Sequence, residues 1–144
     1  MRALLDVNVL IALLDADHSF HSRAHSWWVS NKNSGWASCA ITENAVVRIM
    51  GNPNYKKTKR FSPAAVISSL EIFSSETDHE FWHEDISLRD EKLFGREYIL
   101  SSSQLTDIYL LALATKQDGK LVTFDQNISL TAVRIAKPQN LTVL

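Results

Sequence analysis

Short apolar runs alternate with segments of helical hydrophobic spacing along the whole chain, and this alternation restricts the fold more than any other feature. Five runs have the length and composition of strands: 3–5, 36–39, 80–82, 120–123 and 141–144. Strands that alternate with helices favour an α/β domain with a largely parallel central sheet. In such sheets, ligands bind outside the carboxyl ends of the strands.

The segments between these strands predict five helices, at about 9–14, 18–30, 42–51, 63–73 and 105–117. Thr42 is a plausible N-cap with Glu43 in the first turn, and Ser62-Pro63 is a typical helix start. Ser101 to Gln104 has the spacing of a capping box before the last helix.

Composition limits the remaining possibilities. The chain has 144 residues, of which 45% are hydrophobic and 22% charged, so we expect one domain over residues 1–144 with one sizeable core. The single cysteine, Cys39, excludes an internal disulfide framework and is typical of a reducing compartment, which predicts a cytoplasmic protein. No apolar run approaches the roughly 18 residues of a membrane span, so no membrane association is expected.

Four acidic residues fall where the predicted strands end or the following helices begin: Asp6, Glu43, Asp107 and Asp125. In a parallel sheet these four places lie along one edge. Each acid alone is typical of a helix cap or a solvated turn. Asp107 is the least ordinary of the four, because core-type residues surround it in sequence and an unpaired acid there is costly.

Carboxylates that converge in one crevice require a proton or a cation. At about 4 Å and an effective dielectric constant of 20, each pair of like charges costs roughly 4 kcal/mol. Oxygen ligands alone suit Mg²⁺ or Mn²⁺, and acidic clusters that bind such ions are a recurrent means of cleaving phosphodiesters. The acids therefore predict a metal-dependent phosphodiesterase.

Four segments, in this order and spacing, resemble the PIN domain, and most of all the VapC-type toxins of bacterial toxin–antitoxin pairs. They are Leu4-Leu5-Asp6-Val7-Asn8-Val9-Leu10, Ile41-Thr42-Glu43-Asn44-Ala45, Leu105-Thr106-Asp107-Ile108-Tyr109-Leu110-Leu111-Ala112 and Leu121-Val122-Thr123-Phe124-Asp125. The resemblance implies a three-layer α/β/α fold and a Mg²⁺-dependent endoribonuclease (Mn²⁺ being an alternative ion) that cleaves structured RNA, tRNA or rRNA, with a metal-activated water. It also implies a homodimer and inhibition by a VapB-type antitoxin.

The same resemblance implies a role for each matching residue. Asp6, Glu43, Asp107 and Asp125 would form the catalytic and metal-binding acidic quartet, with Asp6 and Asp107 as the principal ligands. Asn8 and Thr123 would be supporting polar groups.

Three other functions compete with this one. His79-Glu80-Phe81-Trp82-His83 matches the zinc-protease motif, but that mechanism needs a helix and this segment is predicted to be extended. Asp6-Val7-Asn8-Val9 is similar to the start of haloacid dehalogenase phosphatases, although Asn8 cannot transfer the proton that their second acid transfers. A catalytically silent PIN-like binding module is the third alternative, and it would tolerate loss of the acids.

The basic charges are concentrated in one segment. Lys56, Lys57, Lys59 and Arg60 lie within five residues of a chain whose formal net charge is −1. An exposed basic loop is the ordinary explanation. Because an acidic site repels RNA, we expect instead that this loop folds back beside the crevice and binds phosphates of the substrate.

Overall fold

The computed structural model describes all 144 residues. Its five strands are β1 (Ala3–Leu5), β2 (Trp36–Ser38), β3 (His79–Phe81), β4 (Lys120–Thr123) and β5 (Leu141–Val143). Its α-helices are α1 (Val7–Leu14), α2 (His21–Asn31), α3 (Ala40–Met50), α4 (Pro63–Ser75) and α5 (Leu105–Lys116). None of the helices is both long enough and apolar enough to cross a bilayer.

All five strands form one parallel sheet in the order β3-β2-β1-β4-β5. After β1 the chain forms β2 and β3 on one side of β1, and it later forms β4 and β5 on the other side of β1. This reversal makes the boundary between β1 and β4 the switch point of the sheet, where parallel sheets open a crevice at their carboxyl edge. Asp6 and Asp125, which follow these two strands, are therefore brought to the same crevice.

Strand residues alternate between two cores, as the period-two geometry of a strand requires. One core packs the sheet against α5, and it contains Leu4, Ala37 and Leu121. The opposite core packs the sheet against α1 to α4, and it contains Leu5, Trp36 and Val122. Helices thus cover both faces, which confirms the predicted three-layer α/β/α arrangement with a parallel sheet.

Two predicted caps are wrong. α3 begins at Ala40 rather than after Thr42, and the Thr42 hydroxyl bonds back to the backbone of Cys39 at 3.0 Å, inside the first turn. The capping box before α5 is replaced by a 3-10 turn, Ser102–Gln104, in which Gln104 accepts a hydrogen bond from the Leu100 N–H. Ser62 does cap α4 as predicted, through the Ala65 N–H.

α2 also starts later than predicted, at His21 instead of His18. The Phe20 N–H donates to His18 Nδ1 at 3.0 Å, and this local bond keeps residues 18–20 in a turn. The other predicted helices and strands agree with the structure to within a few residues.

Candidate active site

Asp6 lies at the switch point, where β1 passes directly into α1. It is the N-cap of α1, and its Oδ1 accepts a hydrogen bond from the Val7 N–H at 2.7 Å. Only 5% of the residue is exposed. The side chain is therefore fixed by the backbone at the junction of strand and helix.

Thr123, the last residue of β4, connects the two sides of the crevice. Its hydroxyl donates to Asp6 Oδ2 at 2.6 Å and accepts from the Asp125 N–H at 3.0 Å. Asn8 adds a second link, since its Nδ2 lies 3.3 Å from Thr123 Oγ1 and its Oδ1 accepts from the Phe124 N–H. Asn8 and Thr123, predicted as supporting groups, are in contact with the acids or with the loop that carries them.

Asp107 and Asp125 face each other across this crevice. Asp107 is in the first turn of α5, and Asp125 is in the loop after β4. Burial, the charge of Asp6, and the hydrogen bond and charge of Asp125 raise the pKa of Asp107 to about 7. This carboxyl group therefore carries a proton in a large fraction of molecules at neutral pH.

The same repulsion acts on Asp6. Burial raises its pKa most, and the charge of Asp125 adds to the effect, while hydrogen bonds from Thr123 and Val7 oppose it. Three of the four predicted acids are thus electrostatically coupled: Asp6, Asp107 and Asp125. We call these three residues the acidic trio.

Glu43 has its own hydrogen-bond partners, different from those of the acidic trio. It lies in the first turn of α3, where its Oε1 accepts a hydrogen bond from the buried Ser38 hydroxyl. Ser38 Oγ is also 2.7 Å from His79 Nε2. Because the hydroxyl gives its single hydrogen to Glu43, the imidazole N–H is the donor to Ser38. A chain of hydrogen bonds thus runs from His79 through Ser38 to Glu43.

Ser38 and His79 have no place in the sequence-based site, although both contact or support one of its acids. The only signal that could have found them is the strand pairing. β2 and β3 are adjacent and parallel, with Trp36 opposite His79, so residues 36, 38 and 79 share a face. Burial lowers the pKa of His79 below its usual value, which favours the neutral form of the ring.

A cleft of about 260 Å³ opens beside the N-terminal end of α5, onto Asp107 and Asp125. Two of the acids line it, and the other polar lining residues are Ser101, Ser103, Gln104 and Asn127. Hydroxyl and amide groups beside a pair of carboxylates can bind a polar, hydrogen-bonding substrate. They are poorly suited to an apolar ligand.

The donor set of the acidic trio fits a hard divalent cation. It consists of carboxylate oxygens only, and their mutual repulsion is the quantity that a cation relieves. No three histidine, cysteine, aspartate or glutamate side chains are already arranged around one point as ligands. Asp6, Asp107 and Asp125 are the residues that would hold such a cation, and its charge would offset the repulsion among them.

The basic segment is tied to the opposite end of α1. Lys56 Nζ forms a 2.6 Å ion pair with the buried carboxylate of Asp15, and Lys59 lies 3.5 Å from Asp17. Asp6 and Asp15 cap the two ends of α1, and the helix between them has 8 residues and is about 12 Å long. Lys56 and Lys59 are therefore paired at the end of α1 that is remote from Asp6, and the binding of substrate phosphates by this segment stays a prediction.

The ion pair of Lys56 with Asp15 is structural. Burial acts to raise the pKa of Asp15, but hydrogen bonds from Lys56, Tyr55 and the Asp17 N–H outweigh it and lower the pKa. Lys57 and Arg60 are exposed and form no ion pair. Within the segment, these two cations are free to meet a polyanion.

The zinc-protease motif does not have the geometry that its chemistry needs. His79, Glu80 and Phe81 form strand β3, and His83 lies beyond its end. His79 is committed to Ser38, and Glu80 accepts a hydrogen bond from the Trp82 indole. The two histidines therefore do not share the helical face that a zinc protease requires.

Comparison with known proteins gives one family. The family model described as "PIN domain" matches residues 3–134. Ribonuclease VapC44 of Mycobacterium tuberculosis is 48% identical over 147 aligned residues, which cover 100% of both chains.

Two solved structures have a similar fold at low sequence identity. One is Mycobacterium tuberculosis VapC20, described as a sarcin-ricin loop cleaving toxin. It has a TM-score of 0.60 and 16% identity, and the match covers 94% of this chain and 99% of that one. The other is VapBC2 from Rickettsia felis, bound to a DNA fragment from its promoter. It has a TM-score of 0.61 and 13% identity, and the match covers 100% of this chain and 99% of that one.

Proposed function

Since the chain belongs to the PIN-domain family and is a VapC-type endoribonuclease, we propose that its acidic trio binds Mg²⁺ and cleaves RNA. The observation that carries this proposal is the convergence of Asp6, Asp107 and Asp125, which together with burial raises the pKa of Asp107 to about 7. Three carboxylates close enough to repel one another need a proton or a cation to compensate them, and we propose that a divalent cation does so when it is bound.

We assign Asp6, Asp107 and Asp125 as the metal-binding acids, with Mn²⁺ as an alternative ion. When bound, the cation supplies a more acidic attacking water and neutralises charge on the scissile phosphate. The protein supplies rigidity: Thr123 and the Val7 N–H fix both oxygens of Asp6, and Asn8 fixes the loop that carries Asp125. Fixed ligands lose little freedom when substrate binds, which favours catalysis.

Glu43 is the fourth acid of the proposed site, and its role differs from that of the others. Ser38 and His79 hold it on the β2 side of the crevice. In this position it can accept a proton from a group that approaches along the sheet edge. We assign it a general-base role toward the water or the substrate hydroxyl.

The partners are proposed from the relatives. A VapBC assembly among the solved structures with this fold supports a VapB-type antitoxin as the inhibitor. A relative of the same fold described as a sarcin-ricin loop cleaving toxin supports structured RNA, rRNA or tRNA, as the substrate class. We further propose that the chain is a single PIN domain that acts in the cytoplasm as a homodimer.

The test is cleavage of RNA by the purified chain with Mg²⁺, with a chelator, and after Mn²⁺ is added back. We expect cleavage that stops with chelator, returns with Mn²⁺ and does not occur on DNA of the same sequence. Cleavage that persists in chelator would overturn the metal-dependent mechanism. No cleavage of any structured RNA would favour the silent binding module.

A further inference from the structure

An aromatic pair stands beside the acidic trio. Phe124 lies between Thr123 and Asp125 in sequence, at the end of β4. The ring of Phe20 stacks on the ring of Phe124, with centroids 5.0 Å apart and an angle of 29° between the planes. Phe20 remains 45% exposed and belongs to neither hydrophobic core. Its other aromatic neighbour is His18, with ring centroids 5.9 Å apart. A partly exposed aromatic ring therefore stands next to a residue that adjoins a proposed metal ligand.

A cation completes this feature. The guanidinium of Arg23, in the first turn of α2, lies 5.9 Å from the centroid of the Phe124 ring. Arg23 is exposed and forms no ion pair. Its charge is therefore available to a ligand, and it lies next to a flat apolar face.

The segment that carries Phe20 and Arg23 has no negative charge. Residues 18–31 contain no Asp or Glu, and besides Arg23 their only titratable side chains are three histidines, His18, His21 and His25. The acids that precede this segment, Asp15 and Asp17, are already paired with Lys56 and Lys59. The surface beside Phe124 is thus positive or neutral, whereas the acidic trio on the other side of it is negative.

A single exposed phenylalanine is ordinary on a protein surface. The combination found here is unusual. The exposed ring of Phe20 and the unpaired guanidinium of Arg23 both lie against Phe124, which adjoins the proposed cleavage site. A nucleotide presents the matching chemistry, a flat base and a phosphate charge. Single-stranded nucleic acids are bound in this way, by stacking on aromatic rings and by arginine contacts to the backbone.

We propose that Phe20, Phe124 and Arg23 form a nucleotide-binding platform. It holds the nucleotide of the RNA that lies next to the scissile phosphate. The base stacks on the exposed face of Phe20, Phe124 supports that ring from behind, and Arg23 binds the adjacent phosphate. The platform overcomes the repulsion between the acids and the RNA at the point where cleavage occurs. The inference deepens the proposed function and depends on it for the identity of the ligand as RNA.

The test measures binding in chelator, so that cleavage does not interfere. The probe is a single-stranded RNA of about ten nucleotides that carries 2-aminopurine, whose fluorescence is quenched by stacking. We expect Phe20→Leu to weaken binding by about 5-fold or more, the loss that corresponds to one base–aromatic stack, and to reduce the quench. Phe20→Trp restores a stacking face and should retain wild-type affinity. Arg23→Gln should weaken binding and lower its salt slope by about 0.7.

The matched control is Val29→Ala, which shortens another apolar side chain, 53% exposed, on the same helix as Arg23. It should leave affinity and quench unchanged. The platform is overturned if Phe20→Leu binds the probe as the wild type does, or if Val29→Ala weakens binding equally. Weaker self-association of Phe20→Leu, with RNA binding unchanged, would also overturn it and identify the ring as a protein contact.

The two proposals fail in different ways. A wild-type chain that binds and quenches the probe but never cleaves RNA with Mg²⁺ contradicts the proposed function and leaves the platform intact. A chain that cleaves with Mg²⁺ at the same KM after Phe20→Leu contradicts the platform and leaves the proposed function intact.

Discussion

Replacing Asp107 with asparagine should stabilise the protein in the absence of metal. The substitution keeps the size of the side chain and removes the charge that burial, and then repulsion from Asp6 and Asp125, destabilises. The pKa of Asp107 is raised from 3.8 to about 7, and each pKa unit corresponds to about 1.4 kcal/mol. The full shift therefore corresponds to a ceiling of about 4 kcal/mol, and solvent screening of this half-buried group reduces the expected gain to about 2 kcal/mol.

The gain depends on pH in a defined direction. Between about pH 4 and pH 7 the folded state binds the Asp107 proton and the unfolded state has released it, so the free energy of unfolding of the wild type falls as the pH rises. Asp107→Asn does not show this decline. Its advantage should be small near pH 4 and complete near pH 8, where it raises the Tm by about 4–8 °C.

The assay is urea denaturation in chelator across this pH range. Asp17→Asn is the control, because Asp17 is an exposed aspartate 3.5 Å from Lys59 and outside the site. This substitution should change the free energy of unfolding by less than about 1 kcal/mol, toward lower stability. An Asp107→Asn protein that is no more stable than the wild type near pH 8, or equally stabilised at every pH, would show that ionisation of Asp107 does not destabilise the fold.

Three further predictions concern the metal, the basic segment and the Glu43 contacts. Mg²⁺ or Mn²⁺ should raise the Tm of the wild type and not that of Asp6→Asn, measured by calorimetry, because the cation binds only the folded site. Replacing Lys57 and Arg60 with alanine should lower the salt slope of RNA binding by at most about 0.7 for each phosphate that is no longer bound. An unchanged slope would show that these two residues do not bind RNA phosphates. Ser38→Ala should lower the free energy of unfolding by about 1–3 kcal/mol, since it leaves Glu43 without its buried donor. Ser38→Thr keeps a hydroxyl and should retain most of the wild-type stability.

Much of the fold and the acidic trio follows from local sequence. Asp6 directly follows a buried strand and starts a helix, so its place at the carboxyl edge is determined by residues within a few positions of it. Asp125 follows β4 in the same way. Once the sheet is parallel, these two acids must share an edge, and no long-range information is needed beyond the pairing of β1 with β4.

The contacts of Glu43 and Lys56 could not be predicted in this way. Ser38 and His79 are 41 residues apart and meet only because β2 pairs with β3. Lys56 and its partner Asp15 are likewise on separate segments, and the sequence marks both only as charged. Thr42 shows a smaller failure of the same kind, because Cys39 occupies the cap position that a hydroxyl residue usually takes.

We propose that the acids are kept together at a cost in stability because they perform the chemistry. The most direct measurement is the single-turnover rate of RNA cleavage with saturating Mg²⁺ for the wild type, Asp107→Asn and Asp17→Asn. We predict that Asp107→Asn cleaves at least about a hundredfold more slowly, a loss of about 2.7 kcal/mol of transition-state stabilisation, although it is the more stable protein in the absence of metal. We also predict that Asp17→Asn cleaves at the wild-type rate. Cleavage by Asp107→Asn at the wild-type rate would contradict the claim.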